Sequence, residues 1–396
     1  MNELQNIINR FNASSTAGEP VALASIISVA GSAYRGPGTR MLITATGDTV
    51  GTISGGCLEH DVVEHALQVM NSGTDKVVTY DTRGSEDAIW GLGLGCSGVV
   101  RILIENLIDG HAAITALKFA EDCLAAQTEG VVATIIDQRN NEIGHRRYFF
   151  PQYLLAARLD KFGSSLEREA YLQSQVAAQN RSSFNLLIED HELFVDFIQP
   201  PRSLLIFGAE HDAVPLVTFS KAVGCHVTVV DIKSRAASRE RFAHADAVVL
   251  TRPDKFTNAV QLSDGLSVVV MTHNYLADLE LLKVLLPLRL RYLGVLGPKT
   301  RTENIINEIR QQAVIEQDQI SRLHSPIGID IGASTPEEVA ISIVAELRAI
   351  DNSRPAGFLS DRLGPIHDRT PLKVEPRDLE ESVLVSTPVH ELCGLG

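Results

Sequence analysis

Cysteine is scarce in this 396-residue sequence, and the few that occur are not paired. Cys57, Cys96, Cys123, Cys225 and Cys393 are odd in number, widely spread and form no CxxC. That pattern excludes a disulfide framework and a zinc site written in the sequence, and it points to reduced thiols. Long apolar runs are missing as well. The stretches 131–136 and 268–271 are of strand length, far short of the ~20 residues that cross a bilayer. The opening MNELQNIINRF is polar and amphipathic, without the charged-then-apolar order of a secretory signal. Excess positive charge is absent too. A net charge of −14 argues against nucleic acid or an anionic membrane as the main partner. The expectation is a cytoplasmic protein with no nucleic-acid and no membrane partner. An anionic small ligand stays open, because a loop of backbone N–H groups holds phosphate even in an acidic protein.

What is present is the composition of a packed globular chain, 44% hydrophobic and 21% charged. The length suits two or three domains. A first helix is expected from Asn2 to about Asn12, followed by a Ser/Gly stretch at 14–18 and a buried strand, VALASIISVA. MLIT and TVGTIS read as strands joined by a turn at 45–48. A helical spacing starts after Gly55-Gly56, and a Gly-rich loop over 83–98 precedes the strand VVRILIE. Ile114 to Gln127 reads as a helix. Two hairpin-like pairs follow, VVATIID/RRYFF and FNLLIED/LFVDFIQ, separated by a helix over 165–179. Pro200-Pro201 makes a hinge. Beyond it strands and helices alternate, which predicts a parallel sheet covered on both faces. STPEEVAISIVAEL carries a helix-start signature: Thr335 as N-cap, Pro336 first, and Glu338 closing a capping box. The fold class expected is α/β: an N-terminal α+β domain (1–199), a Rossmann-like doubly wound parallel-sheet domain (200–350) and an extended tail (351–396).

Several places carry chemistry-bearing residues. IFGAEHDAVPL lies where a first strand meets a first helix, yet of the dinucleotide fingerprint G-x-G-x-x-G only Gly208 survives. Glu210 and Ala213 stand at the other glycine positions, and a carboxylate at Glu210 repels a pyrophosphate. Asp231 ends the second strand about 20 residues on, where a ribose-binding acid sits in that fingerprint. A Rossmann-type scaffold without a dinucleotide is therefore weighed ahead of an NAD site. His211 and Asp212, in the same loop, face the crevice above the sheet. In TISGGCLEHDVVEHAL, Gly55 and Gly56 lead from strand to helix and place Cys57 in the first helical turn, where unpaired N–H groups and the helix dipole favour an anion and a thiolate. The competing reading makes Cys57 a small buried hydrophobe. Cys96 lies in GLGLGCSGVV, a loop rich enough in glycine to approach a ligand, or an incidental thiol in a tight loop. Arg35 and Arg40 add charge to YRGPGTR, with a solvated loop as the alternative. SVVVMT runs into His273-Asn274, and YLGVLG into Pro298-Lys299-Thr300-Arg301, both at carboxyl ends of parallel strands where ligands of open α/β sheets bind. Lys299 and Arg301 are placed to pair with phosphate. His273 is a ligand contact or a helix-capping residue. Asp330, in SPIGIDIGAST, is expected near the end of a strand.

Taken in order, GSAYRGPGTRMLI, GTISGGCLEHDV, LGLGCSGVVRILIE, IFGAEHDAVPL, VVVMTHNYLADLELL, YLGVLGPKTR and HSPIGIDIGASTPEEVAISIVAEL resemble the XdhC/CoxI family, the maturation proteins of molybdenum hydroxylases such as xanthine dehydrogenase. The resemblance covers roughly 20–110 and 200–348. It implies an accessory chaperone rather than a turnover enzyme, one that binds the molybdenum cofactor as molybdopterin or its nucleotide form, assists its sulfuration and hands it to a molybdenum hydroxylase apoenzyme. A cysteine desulfurase is an implied second partner, and a homo-oligomer is expected. The matching residues are Gly55, Gly56, Cys57, Glu59, Cys96, His273, Lys299 and Arg301. Glu210, where the family more often has glycine, and Ser97 are departures. On this reading the cofactor lies in the cleft between the domains, with Cys57 and Cys96 near metal or sulfur. The rivals are an NAD(P)-binding oxidoreductase and a regulatory protein with no cofactor chemistry.

Overall fold

The computed structural model describes residues 3–31, 33–81, 98–137, 142–152, 164–188, 191–263 and 265–363. Cys96, Ser97, Cys393 and the far part of the expected tail lie outside them. Among the described residues the strands form three sheets.

Helix α1 (Glu3–Ala17) leads into β1 (Val21–Gly31), β2 (Arg40–Thr44) and β3 (Thr49–Gly51). Then come α2 (Glu59–Ser72), β4 (Lys76–Asp81), β5 (Gly98–Asn106) and α3 (Ala112–Ala125). The strands pair antiparallel in the order β3-β2-β1-β5-β4. Central β1 is apolar on both faces because both are covered. Ala22, Ala24 and Ile26 pack on Val62, Ala66 and Val69 of α2, while Val21 and Leu23 pack on Ile7, Phe11 and Leu117 of α1 and α3. Successive side chains point to opposite faces, so one strand serves two layers. The first helix runs further than its sequence suggests. Ser14, expected in a loop, is buried in its last turns, where its hydroxyl donates to Glu19 at 2.8 Å.

A second antiparallel sheet follows, built from β6 (Gly130–Asp137), β7 (Glu142–Pro151), β8 (Phe184–Ile188) and β9 (His191–Ile198) in the order β7-β6-β9-β8. Helix α4 (Ser165–Asn180) covers one face through Ala170, Tyr171 and Ala177, and α3 lies against the other. The contact with α3 requires glycine at 130: a Cβ there would stand 2.7 Å from both Cys123 Sγ and the Phe119 ring. Ion pairs join the two sheets: Arg40 with Asp196, Arg101 with Glu192 and Arg147 with Glu105. Beside the last pair is a cavity of about 30 Å³, lined in part by Ser25, Thr134 and Arg147. Arg147 Nη1 is buried without an acceptor, and a space of this size and polarity suits one or two waters.

The rest of the chain alternates. In order come β10 (Ser203–Phe207), α5 (Ala213–Ala222), β11 (His226–Asp231), α6 (Ser238–Arg241), β12 (Ala247–Leu250) and β13 (Ser267–Val270). After these follow α7 (Tyr275–Leu285), β14 (Tyr292–Val295), α8 (Lys299–Arg310), α9 (Gln317–Ser321), β15 (Leu323–His324) and α10 (Pro336–Asp351). The strands are parallel, in the order β12-β11-β10-β13-β14-β15. This is the doubly wound arrangement, two wings growing outward from β10. Leu204 and Ile206 pack with Leu216, Ile343 and Leu347 of α5 and α10; Leu205 and Phe207 pack with Leu279, Leu282 and Ile305 of α7 and α8. The capping box of α10 forms as its sequence predicts: Glu338 N donates to Thr335 Oγ1 at 3.3 Å, and Thr335 N to Glu338 Oε2 at 2.9 Å. Asp330, by contrast, is exposed in a loop beyond β15 and ends no strand. No helix of the described residues is long and apolar enough to cross a membrane.

Candidate functional site

The winding direction of the sheet reverses between β10 and β13, and ligands of such sheets settle above that switch point. Gly208 makes the crevice. Its φ is +131°, and a Cβ there would run into the Met271 carbonyl, so only glycine lets the loop after β10 lie against the end of β13. Across this seam His273 and Asp212 meet. His273 Nε2 lies 2.6 Å from Asp212 Oδ2, while Asp212 Oδ1 is buried without a partner. The His273 backbone is in the left-handed region, φ +56°, and its side chain is half exposed. A carboxylate thus fixes the ring at the mouth of the crevice. His211 is exposed beside it.

The wing beyond β13 keeps donors open. Pro298 caps α8 without a side-chain hydrogen bond, and the Lys299 and Thr300 amides of its first turn have no acceptor among the described residues. Lys299 is exposed next to them. Arg301 is committed elsewhere: Nη2 pairs with Asp278 Oδ2 at 2.6 Å, and Asp278 is fully buried and also accepts from Thr272. Burial pushes the Asp278 carboxyl up from its ordinary value, against the pull of Thr272 and Arg301. Asn274 is committed too. Its Oδ1 accepts from Ala277 N at 3.0 Å and caps α7, so of His273 and Asn274 the capping residue is Asn274.

The wing on the β11 side is closed by the chain itself. Ala213 N and Val214 N, which a pyrophosphate would use, donate to the Glu210 and His211 carbonyls at 3.2 and 3.3 Å, and Pro215 has no N–H. Asp231 is 1% exposed. Its carboxylate accepts from Lys233 N (2.8 Å), Arg235 N (3.1 Å), Arg235 Nε (3.2 Å) and Ser238 Oγ (2.6 Å). Burial acts to raise its pKa, but these bonds prevail and hold it below the ordinary value. It is saturated and cannot grip a ribose. Glu210 turns toward the same corner, with Oε1 2.6 Å from Lys233 Nζ and Oε2 3.3 Å from Arg235 Nη1. Lys233 and Arg235 escaped the sequence reading, although DIKSR places them directly after the ribose position.

In the antiparallel half the 54–59 loop is organised by Glu59. Its carboxylate accepts from Thr52 Oγ1 (2.6 Å), Ser54 N (2.8 Å), Gly56 N (3.1 Å) and Ser54 Oγ. Burial works to raise its pKa, but these donors hold it at about 2. The anion at this turn is the protein's own carboxylate, which takes the Gly56 amide. Helix α2 begins at Glu59 with Leu58 as its cap, which leaves Cys57 outside the first turn; the thiol is exposed. Gly55 and Gly56 are exposed beside it. Arg40 is neither a loop charge nor an open cation but part of the intersheet ion pair with Asp196. Cys123 is buried and its thiol is pushed up to about 11 by burial; Cys225 is half-buried and also raised by burial. Among the described residues no hydrogen bond or ion pair links the 54–59 loop to the crevice. A hydrogen bond between the halves, Ser203 Oγ to Gln127 Oε1 at 3.4 Å, lies at the start of β10, the end of the strands opposite the crevice. Asp75, Glu105 and His111 bring potential metal-ligand atoms within 4.8 Å of one another. Each has a partner: His111 Nε2 meets Asp75 Oδ2 at 2.8 Å, Asn106 N donates to Asp75 Oδ1, and Glu105 takes Arg147. The hydrogen bond to Asp75 raises the His111 pKa, so this is a charge-compensated structural cluster.

Residues 204–347 match the family model described as the XdhC Rossmann domain, and residues 15–81 match that of the XdhC and CoxI family. The chain belongs to the XdhC and CoxI family. The matched Rossmann segment contains the whole crevice. Among similar proteins, a probable xanthine dehydrogenase subunit of Bacillus subtilis (strain 168) is 29% identical over 330 residues, 83% of this chain and 92% of the relative. The molybdenum cofactor insertion chaperone PaoD of Escherichia coli (strain K12) is 22% identical over 334 residues, 84% of each chain. A crystal structure described as that of a xanthine dehydrogenase from Bacillus halodurans is 29% identical, with a TM-score of 0.71 over 88% of this chain and 96% of that one.

Proposed function

We propose that this XdhC and CoxI family protein is a maturation chaperone that holds the molybdenum cofactor and delivers it to a molybdenum hydroxylase apoenzyme. The observation that carries the reading is the one-sided crevice. Toward β14 it offers the exposed Lys299 ammonium, the open Lys299 and Thr300 amides, and His273 oriented by Asp212. Amides at a helix N-terminus beside a lysine are suited to a phosphate group. Asp212 Oδ1, buried and without a partner, is an acceptor for an N–H of a ligand. These residues fit a phosphate-bearing pterin cofactor. When bound, that cofactor supplies the molybdenum chemistry; the chain's own residues hold, orient and release it. Similarity to a molybdenum cofactor insertion chaperone and to proteins with xanthine dehydrogenase names agrees with this role.

We assign the sulfur step of maturation to Cys57, an exposed thiol in a loop locked by Glu59: its thiolate attacks the outer sulfur of a donor protein's cysteine persulfide, the donor S–S bond breaks and the donor thiolate leaves, and the new persulfide is a reversible state of an accessible thiol. Cys96, outside the described residues, is the second candidate thiol. An NAD-dependent oxidoreductase fits less well. Asp231 is saturated, and the first-turn amides of α5 are used by the loop.

The test is direct. Purified protein is incubated anaerobically with molybdenum cofactor, desalted, and assayed for molybdenum and pterin, then mixed with hydroxylase apoenzyme. The expected result is an equimolar complex that activates the apoenzyme. Protein that retains neither metal nor pterin refutes the reading. Cys57→Ala is expected to keep the cofactor yet activate poorly; full activation by that variant removes the sulfur role.

A further inference from the structure

The closed wing of the crevice holds more positive charge than its own carboxylates use. Lys233, Arg235 and Arg241 converge on the loop after β10. Lys233 Nζ contacts Glu210 Oε1 at 2.6 Å, and Arg235 reaches Glu210, Asp231 and the Ala209 carbonyl. Arg241 Nη1 donates to the same Ala209 carbonyl at 2.7 Å. Asp231 would be satisfied without these side chains, since two backbone amides and Ser238 already serve it. Glu210 is what they hold in place. It stands where the dinucleotide fingerprint has a glycine, so nothing in the fold itself calls for a carboxylate there. Lys233 and Arg235 are also open to solvent, with side chains 49% and 37% exposed. An exposed pair gains little stability from such an arrangement.

We propose that this corner is a latched phosphate site, in which the Glu210 carboxylate occupies the place of a ligand's phosphomonoester. In doubly wound folds, cations just after the second strand receive a ribose 2′-phosphate, whereas a free carboxylate receives ribose hydroxyls. Here the carboxylate, Asp231, is consumed by its own chain and the cations remain. A ligand bearing a phosphomonoester displaces Glu210 and takes over Lys233 and Arg235; a ligand with only ribose hydroxyls finds no acceptor. Glu210 therefore competes with a phosphorylated ligand for Lys233 and Arg235, and its departure opens the corner.

The experiment measures binding of NADPH and NADH by fluorescence, and of inorganic phosphate by competition, to the full chain. Glu210→Gln keeps the shape and removes the charge. It is expected to gain roughly tenfold more affinity for NADPH than for NADH, since relief of the repulsion on the pyrophosphate is common to both and one charge-assisted contact to the 2′-phosphate separates them. Inorganic phosphate is expected to displace NADPH from the variant, which identifies the phosphate rather than the nucleotide as the group read. Adding Lys233→Ala should abolish that difference. Glu210→Gly, which restores the fingerprint residue, serves as the second variant should the first not fold. The proposal is overturned if neither variant gains affinity for NADPH, if NADH gains equally, or if the difference survives loss of Lys233. Because molybdenum cofactor plays no part in this test, the outcome is separate from that of the cofactor-retention assay.

Discussion

The two halves of the molecule use the same chemical pair, a cation and a carboxylate, to opposite ends. In the antiparallel half Arg147 and Glu105 are 4% and 3% exposed and lock two sheets together. In the parallel half Lys233 and Glu210 are 49% and 29% exposed and line the edge of a crevice. A buried pair cannot be broken without stranding a charge away from water, so it belongs to the structure. An exposed pair exchanges partners at little cost, so it is available to a ligand. Burial, not residue type, separates scaffold from site here.

The comparison breaks first at the buried pair. Glu105→Ala leaves the Arg147 guanidinium buried and unpaired, and should cost about 3–5 kcal/mol in chemical denaturation. A loss below about 1 kcal/mol would mean that the pair is solvated in solution, as exposed pairs are. Next comes the seam of the crevice. Gly208→Val forces a side chain into the Met271 carbonyl and should destabilise by about 2–3 kcal/mol. An unchanged denaturation midpoint would show that β10 and β13 are not held as close as described. Glu59→Gln should cost about 1–2 kcal/mol at neutral pH, since the carboxylate is only partly shielded from solvent. The sign with pH is fixed by a folded pKa of about 2 set against 4.5 for the free group. The ionised form contributes fully above about pH 4.5, and the wild-type advantage fades as pH falls toward 2. A difference that grows on acidification would contradict the clamp. The smallest effect on stability is expected at His273→Ala, below about 0.5 kcal/mol, because the ring is at the surface.

Most of the parallel half was legible in the sequence because β10 to β14 are short apolar runs and α10 carries its own boundary signals in Thr335, Pro336 and Glu338, whereas the two-residue β15 gives no such signal. Gly208 and Asp231 could be assigned to a strand end and its crevice for the same reason. What could not be read was the commitment of each polar residue. Arg40 and Arg301 have the composition of phosphate ligands, but their partners Asp196 and Asp278 lie 156 and 23 residues away. Glu59 looks like an acid in the first turn of a helix; that it folds back on Thr52, Ser54 and Gly56 depends on loop geometry. Asn274 and His273 are neighbours of similar chemistry, and only the chain's turn into α7 decides which one caps. Cys57 misses the helix by two residues, within the usual uncertainty of a helix start.

The claim that the cofactor sits on the β13–β14 side of the crevice is tested most directly by cofactor retention in the His273→Ala/Lys299→Ala double variant, measured as molybdenum and pterin per chain beside the wild type. Retention should fall by roughly tenfold or more, as expected for losing a charged contact and an oriented ring, while the melting temperature stays within about 2 °C of the wild type. Equal retention by the two proteins would contradict it.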